Sequence, residues 1–233
     1  MLAGRISRRL VPPRLDRVEL VRNLHKMGVE SVGIVAATAA FVGAIMVVQA
    51  APLVTRFDAK EMVGWGAGFA TLREVGPLLI ALMFNGRVGA NNTAELGTMT
   101  VTEQIDALRA LAIDPIAYLV LPRIISMVIM LAVLTVVGDF VAISGALAAA
   151  KGLLDVDPRS FMSSFTALLN EWDFLTGIIK SVIFGAMIAM TSCYFGLSVR
   201  GGAPGVGRAV NAAVVASASG IFILDFFSTF VLG

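Results

Sequence analysis

The sequence is poor in the residues on which most metalloenzymes and disulfide-bonded domains depend. It has one cysteine, Cys193, and one histidine, His25. A single thiol excludes an intrachain disulfide, and a single imidazole excludes a histidine-rich metal site. The sequence contains no H-E-x-x-H, G-x-S-x-G or P-loop motif, so it lacks the signatures of a zinc protease, a serine hydrolase and a nucleotide-binding loop. We therefore predict a protein that is not an enzyme and holds no metal or cofactor of its own.

Charged residues are also scarce, and several long segments of the sequence contain one or none. They make up 15% of the 233 residues, 58% are hydrophobic, and the mean hydropathy is +0.88. A bilayer crossing needs about 20 mostly apolar residues. Residues 31–55 and 181–199 carry no charge, and residues 124–150 and 209–233 carry one each. We predict an all-α membrane protein with five transmembrane helices, near residues 31–53, 64–86, 119–149, 174–197 and 208–231.

The basic residues fall unevenly between the two ends of these spans. With a cytoplasmic N-terminus, twelve lysines and arginines face the cytoplasm and four face the opposite side. The cytoplasmic set is Arg5, Arg8, Arg9, Arg14, Arg17, Arg22, Lys26, Arg87, Arg109, Arg123, Arg200 and Arg208; the outer set is Arg56, Lys60, Lys151 and Arg159. This bias is the one that orients membrane proteins. It predicts a multi-pass protein with a cytoplasmic N-terminus and a periplasmic C-terminus.

The segment before the first span is basic and amphipathic. Apolar residues recur near one face and basic residues on the other: Leu15, Val18, Val21, Leu24 and Met27 against Arg14, Arg17, Arg22 and Lys26. The pattern favours an interfacial helix on an anionic leaflet, with a disordered basic tail as the alternative. We therefore expect a single domain, 1–233, made of an N-terminal interfacial segment, 1–30, and a five-span region, 31–231.

A second short helix is expected on the outer side, over residues 157–170. Asp157 is suited to cap its N-terminus, and Pro158 is suited to the first helical position. The helix could lie on the membrane surface or against a partner.

The stretch between the second and third spans is far more polar than its surroundings. Thr100 to Glu103 fits a capping box, in which the Thr100 hydroxyl caps a helix and Glu103 reaches back. Apolar residues then recur at helical spacing, polar residues fill the remaining surface, and Asp106 and Arg109 are spaced to pair. The apolar positions are Ile105, Leu108 and either Leu111 or Ala112, and Asp114-Pro115 is expected to end the element.

A helix of this length is not stable alone and must pack on something. Two alternatives stay open. It rests on its own spans as part of a loop, or it projects into a cytoplasmic partner and transmits force.

Two stretches carry a resemblance to a known family. LREVGPLLIALMFNGRVGANNTAELGTMTVTEQIDALRALAIDPIAYLVLPR, residues 72–123, and GGAPGVGRAVNAAVV, residues 201–215, resemble the MlaE/YrbE permease family. Its members are the membrane subunits of MCE-type ABC transporters, which move lipids between membranes. The resemblance covers nearly the whole chain and is weakest over the first 30 residues. Asn91-Asn92 departs from the small residues usual in the family, and we expect it to change the packing beside the helix near 100–112.

The resemblance implies a permease subunit whose ATP is bound and hydrolysed by a partner subunit. Residues 100–112 are then the coupling helix, with the following residues facing the ATP-binding subunit: Thr100, Thr102, Glu103, Gln104, Asp106 and Arg109. It also implies a homodimer, a phospholipid substrate between spans 1, 2 and 5, an MCE-domain partner on the outer side and a small STAS-type regulator on the ATPase. By the same resemblance, the chain lies in the bacterial inner membrane and maintains outer-membrane lipid asymmetry. No nucleic-acid partner is expected.

Five ionisable residues fall within the predicted spans: Arg73, Glu74, Asp139, Lys180 and Asp225. Each costs about 3 kcal/mol at a helix centre on insertion scales, so we expect none of them to face lipid. Adjacent residues on a helix point about 100° apart, so Arg73 and Glu74 should each find a partner on another span or face a polar cavity. Two roles stay open: ion pairs that fix helix register, and gating or lipid headgroup contact.

Two other functional classes were weighed against the permease. A secondary transporter driven by a proton gradient would use Glu74, Asp139 or Asp225 as a relay. It leaves the polar helix unexplained, and no inverted repeat is evident among five spans. An intramembrane enzyme needs a nucleophile with a base, or a metal site, and the sequence offers little for either.

Overall fold

Five helices in the computed structural model, which describes residues 17–59 and 62–232, are long and apolar enough to cross a membrane. They are Glu19–Arg56, Val63–Val101, Ile116–Leu154, Glu171–Leu197 and Gly202–Leu232, called the first to fifth spans below. The five predicted spans are confirmed, and every helix is longer than its apolar run. The extensions are polar turns that stay helical because they pack on neighbouring helices.

The connections between spans alternate between two ends of the bundle. The basic end holds residues 102–115 and 198–201 together with the start of the first span. The far end holds residues 57–59 and 155–170. By the charge bias, the basic end is the predicted cytoplasmic end.

The second span departs from a regular α-helix at two places. It runs as Val63–Ala70, Gly76–Phe84 and Ala90–Val101, joined by π-helical turns at Thr71–Val75 and Asn85–Gly89. Pro77 lies two residues after the first turn, and a proline has no N–H for the regular helical bond four residues back. Inserting one residue into the helical turn is a recognised accommodation and is frequent at functional sites. This turn carries both Arg73 and Glu74.

The first and third spans approach each other at backbone distance. A Cβ atom at Gly43 would lie 1.8 Å from the Ala142 carbonyl oxygen, and one at Gly145 would lie 2.1 Å from the Ala40 carbonyl oxygen. Small residues at such crossings allow helices in a bilayer to gain dispersion contacts that larger side chains would prevent. The pair therefore forms a rigid wall against which the second and fourth spans pack.

Three apolar clusters lie along the bundle from the far end to the basic end. The first joins Val47, Val63, Ala67, Ala146, Ala150, Val156 and Phe161. The central one includes Val35, Ile80, Phe84, Met127, Leu131, Phe184, Ile188 and Ile221. The third joins Leu96, Ile105, Leu119, Val120 and Cys193 at the basic end. It includes a residue of the polar loop, Ile105, which ties that loop to the core.

The N-terminal helix is present from Arg17 onward and passes into the first span without a break. Arg17–Leu24 continues through a π-helical turn, His25–Val29, into Glu30–Arg56. The predicted positions Arg14 and Leu15 lie outside the described residues. Two of its polar residues, Glu19 and Asn23, are buried and joined by a 3.3 Å hydrogen bond, whereas Val21 is 63% exposed. The predicted faces hold for the buried Met27 and the exposed Arg22 and are wrong for Val21.

The far-end helix spans Pro158–Leu168, as predicted from its cap. The Asp157 carboxylate accepts a hydrogen bond of 3.2 Å from the Arg159 amide. The helix packs on the second span, where a Cβ at Gly64 would lie 2.1 Å from the Phe161 carbonyl oxygen. The sequence left the membrane surface and a partner open as positions for this helix, and the face that carries Phe161 packs instead on the protein's own second span.

Candidate functional site

The polar loop at the basic end contains a helix, but it does not begin where the sequence predicted. The second span stays helical through Val101, and the loop helix covers Gln104–Ala110. The predicted capping box is wrong: Glu103 is the cap position, has φ 58° and makes no side-chain cap hydrogen bond. The Thr100 hydroxyl instead donates to the Leu96 and Gly196 carbonyl oxygens, at 2.8 and 3.2 Å. The tertiary contact with the fourth span outcompetes the local cap.

The loop helix is held by one side and exposed on the other. Ile105 is 4% exposed in the apolar cluster at the basic end, and Leu108 packs on the same cluster. Leu111 is 71% exposed, so the predicted apolar face ends one turn early. The helix itself ends at Ala110, before Asp114, whose carboxylate accepts from the Ile116 amide at 3.0 Å.

The polar residues assigned to this helix divide into two groups. Glu103, Gln104, Asp106 and Arg109 are exposed, and the predicted pair between Asp106 and Arg109 is confirmed at 2.7 Å. Thr102 is exposed and accepts from the Gln104 amide at 3.0 Å. Thr100 is half-buried and committed to the fourth span, so it lies behind the exposed surface rather than on it.

Four of the five ionisable residues that were singled out within the predicted spans pair between helices. The Lys180 ammonium is fully buried and lies 2.6 Å from Glu74 and 3.1 Å from Asp225. It also donates to the Thr229 hydroxyl at 2.7 Å, which in turn donates to Glu74 at 3.1 Å. The second, fourth and fifth spans thus meet at one cation, which is called the Lys180 cluster below.

Arg73 lies on the same π-helical turn and has separate partners. Its guanidinium donates to Asp173 at 3.2 Å and to the Leu232 carbonyl oxygen at 3.2 Å. It also stands 5.3 Å from the centre of the Phe69 ring, a cation–π distance. The expectation that Arg73 and Glu74 pair elsewhere rather than with each other is confirmed. Arg73 and Glu74 each bond to the fourth and fifth spans, so this one turn joins the second span twice to both of those helices.

Asp139 stands apart from these pairs. It is 1% exposed, and neither of its carboxyl oxygens has a hydrogen-bond partner among the described residues. Its Oδ1 lies 3.1 Å from where a Cβ of Gly76 would be, so the missing side chain at Gly76 makes room for the carboxyl. Asp139 also lines an apolar cavity of about 390 Å³ near the far end.

Sequence reasoning missed two members of the ion network, although each had a helical-spacing signal. Asp173 precedes Lys180 by seven residues and Thr229 follows Asp225 by four, so each shares a helix face with a residue that was singled out. Asp173 also caps its own helix, accepting from the Asn170 amide at 3.0 Å.

A third polar cluster, near the loop helix, was also missed. Arg123 is 5% exposed and donates to Asn92 at 2.8 Å and to Glu95 at 2.9 Å, and Lys26 pairs with the same Glu95. The Asn92 amide donates to Ser192 at 2.9 Å. Asn92 therefore fills a place between three helices, which fits the expectation that it changes packing beside the loop helix. In the sequence, the signal for Asn92 was that the family usually has a small residue at this position.

No His, Cys, Asp and Glu group in the described part of the chain could hold a metal ion. The loop helix and the Lys180 cluster are two arrangements with functional geometry. The first is an exposed amphipathic helix anchored at the basic end. The second is a charged junction of three spans deep in the bundle.

Comparison with known proteins agrees with this arrangement. Residues 20–231 match the family described as Permease MlaE. A probable ABC transporter permease protein of Synechocystis sp. is 37% identical over 99% of this chain and 88% of its own length. A probable ABC transporter permease protein of Rickettsia felis is 37% identical over 94% of this chain and 85% of its own. The chloroplastic protein TRIGALACTOSYLDIACYLGLYCEROL 1 of Arabidopsis thaliana is 34% identical over 97% of this chain and 65% of its own. The chain belongs to the MlaE family of ABC transporter permeases.

Proposed function

We propose that this chain is the membrane-spanning subunit of an ABC transporter that moves phospholipids or related lipids, driven by ATP hydrolysis on a partner subunit. The observation that carries the proposal is the loop helix. It exposes Glu103, Gln104, Asp106 and Arg109 at the end of the bundle, while Ile105 holds it to the core. When a docked protein moves an exposed helix that has a buried anchor, the anchor transmits the movement to the spans.

Two sets of contacts connect the loop region to the spans and can transmit such a movement. Thr100 joins the end of the second span to the Gly196 carbonyl oxygen on the fourth span, at 3.2 Å. Ile105 contacts the cluster that also contains Leu119 at the start of the third span. Movement of the loop helix therefore reaches three spans. The second and fourth spans lead to the Lys180 cluster.

The Lys180 cluster supports a role in the conformational change itself. Its one ammonium serves two carboxylates on different helices, at 2.6 and 3.1 Å. When the helices shift, the ammonium can approach one carboxylate as it leaves the other. This change costs less free energy than separating a buried ion pair that has no second partner. We propose that it gates the lipid path, in addition to fixing helix register.

Other features of the assembly are proposed on the family and on surface chemistry. The fifth span is the least buried of the five, and its exposed residues include Phe222, Phe226 and Phe230. We propose that a homodimer forms along this face and encloses a lipid path between spans 1, 2 and 5. The name of the chloroplastic relative contains a glycolipid, which supports a glycerolipid substrate.

The proposed setting is a bacterial inner membrane with the basic end in the cytoplasm. An MCE-domain protein would bind the far end, and a small STAS-type regulator would bind the ATPase. The proposed role is the maintenance of outer-membrane lipid asymmetry. The proton-driven alternative is weaker, because Glu74 and Asp225 are paired with Lys180 and only Asp139 is without a partner in the described residues.

The test is a double charge reversal on the loop helix, Glu103→Lys with Asp106→Lys. Both side chains are exposed, so the fold should be retained, and the lost pair with Arg109 is a surface pair of little worth. If this face contacts the ATP-binding subunit, reversal should lower its affinity at least about tenfold, roughly 1.4 kcal/mol. The measurement is co-purification of the ATP-binding subunit at a series of concentrations, from membranes with matched amounts of the permease.

The matched control is Asp58→Lys with Asp155→Lys at the far end. These residues are exposed and have φ values of 52° and 53°, close to the 58° of Glu103, so the control carries at least the backbone strain of the Glu103→Lys change. The control should recover the ATP-binding subunit at the wild-type level. Equal recovery by both double variants would remove the loop helix from the interface.

A further inference from the structure

Asp139 is the buried polar group that the proposed function leaves unused. It lies within the third span, is 1% exposed, and has two carboxyl oxygens without a hydrogen-bond partner in the described chain. Buried polar groups in proteins are nearly always hydrogen-bonded. A carboxyl at membrane depth without a partner is costly and by default marks a functional position.

The surroundings of Asp139 form a cavity suited to an organic ligand. The cavity has a volume of about 390 Å³ and lies between the third span, the far-end helix and the start of the fourth span. Its walls are mainly apolar, with Leu72, Ile143, Phe165 and Phe174 among them. Its volume falls in the range of small-molecule sites, which combine apolar walls with a few fixed polar groups.

The charge of the lining selects the ligand class. The ionisable groups of the lining are two carboxyls, Asp139 in the wall and the exposed Glu171, and it contains no lysine or arginine. Carboxylates with aromatic rings attract an alkylammonium group through charge-assisted hydrogen bonds and cation–π contact. An anionic headgroup would meet repulsion and no compensating donor from these side chains.

Space beside Asp139 is built into the second span. Gly76 has no side chain where Oδ1 approaches, and a Cβ there would stand 3.1 Å from that oxygen and 2.4 Å from the Thr71 carbonyl oxygen. None of Arg73, Glu74, Lys180 and Asp225 lines this cavity, so it is separate from the Lys180 cluster.

We propose that the far-end cavity at Asp139 is a binding site for an alkylammonium group, carried by an aminophospholipid headgroup or by a free amine. Binding supplies the missing partner of the carboxyl and fills the apolar space. The proposal does not depend on ATP-driven transport, because it concerns binding by this chain alone. Loss of ATPase docking and loss of amine binding are therefore separable results.

The experiment measures ligand binding to the purified full-length chain in a neutral maltoside detergent. Trp172 follows Glu171, which lines the cavity, in the sequence and is 69% exposed, so its fluorescence is the readout of occupancy. Three probes are titrated: phosphatidylethanolamine, phosphatidylglycerol and soluble ethanolamine. The variants are Asp139→Asn, which keeps the side-chain volume, and Ile143→Phe, which reduces the cavity and leaves the carboxyl. Asp155→Asn, an exposed acid at the same end, is the control.

We expect phosphatidylethanolamine to bind the wild-type chain and the Asp155→Asn control with equal affinity. Asp139→Asn should weaken that binding about ten- to a hundredfold, the worth of a charge-assisted hydrogen bond. Ile143→Phe should weaken it through lost volume, which keeps the test valid if Asp139→Asn does not fold. Phosphatidylglycerol should show no dependence on Asp139.

Soluble ethanolamine distinguishes the source of the ammonium group. An Asp139-dependent response to ethanolamine alone supports the site and assigns it to free amines, whereas a response to the phospholipid alone assigns it to the lipid. Equal binding of both phospholipids, unchanged in Asp139→Asn and Ile143→Phe, would overturn the proposal.

Discussion

Replacing Lys180 with methionine tests whether one ammonium holds three spans together. Methionine is unbranched and of similar length, so the substitution removes the charge without opening a large cavity. In the wild-type chain the Lys180 ammonium lies 2.6, 3.1 and 2.7 Å from oxygen atoms of Glu74, Asp225 and Thr229, respectively. The substitution leaves these three side chains facing one another without that cation. The expected loss of stability is therefore electrostatic, and its size follows from how deeply the group is buried.

Removal of one partner from a buried ion pair costs about 3–5 kcal/mol, because an uncompensated charge is left behind. Lys180 is fully buried, but the side chains of Glu74 and Asp225 are 32% and 18% exposed. Partial exposure places the expected loss at the low end, about 3 kcal/mol. For a chain of this size, 1 kcal/mol corresponds to a shift in Tm of about 2–4 °C. The Tm should therefore fall by about 6–12 °C.

The protein contains its own reporter for this measurement. Cys193 is the single thiol and is fully buried, so a thiol-reactive fluorophore labels it only when the bundle opens. Labelling during a thermal ramp of the detergent-solubilised chain then gives the Tm. Lys151→Met is the control, since Lys151 is exposed at the end of the third span and should change the Tm little.

A neutral version of the cluster separates charge from packing. Lys180→Met combined with Glu74→Gln and Asp225→Asn carries no uncompensated charge and should recover more than half of the lost Tm. A Tm for Lys180→Met within about 2 °C of the wild type would refute the reasoning. So would a triple variant less stable than the single one, because the loss would then arise from packing.

Two further predictions use matched pairs on one element. Gly145→Ala should lower the Tm, by an overpacking cost of about 1–3 kcal/mol, because its Cβ would stand 2.1 Å from the Ala40 carbonyl oxygen. Gly152→Ala, on the same helix with nothing within 4 Å of the new Cβ, should leave the Tm unchanged or raise it; equal shifts for the two would contradict the close approach of the first and third spans. Ile105→Ala should loosen the loop helix, since a buried isoleucine truncated to alanine costs about 2–5 kcal/mol, and limited trypsin digestion should then cut faster after Arg109. Leu111→Ala is the control, because Leu111 is 71% exposed, and faster cleavage in this variant as well would show that Ile105 is not the anchor.

The class of the protein and the order of its helices follow from the sequence by itself. Apolar runs of about 20 residues cross a bilayer as helices, because no other open structure satisfies the backbone there. The far-end helix was also predictable, since Asp157 and Pro158 act within one turn of chain. The family was recognisable in residues 72–123 because the polar loop retains its pattern of spacing.

The partners of the charged residues depend on tertiary structure. Arg73 and Asp173 are 100 residues apart, and Glu74 and Lys180 are 106 apart, so their meeting depends on the register of the spans. Both neighbours on the π-helical turn at Thr71–Val75 bond to the fourth and fifth spans, through different partners. Asp139 had the same sequence signal as the others and was left without a partner in the described chain.

The loop helix shows where local and tertiary preferences compete. Thr100 and Glu103 satisfy the pattern of a capping box, which considers only four residues of chain. In the folded chain the Thr100 hydroxyl bonds to Leu96 and to Gly196 on another span, so the second span extends to Val101 and the new helix starts at Gln104. The predicted cap and the observed hydrogen bonds of Thr100 are of similar strength. The additional contact with the neighbouring fourth span therefore favours the observed arrangement.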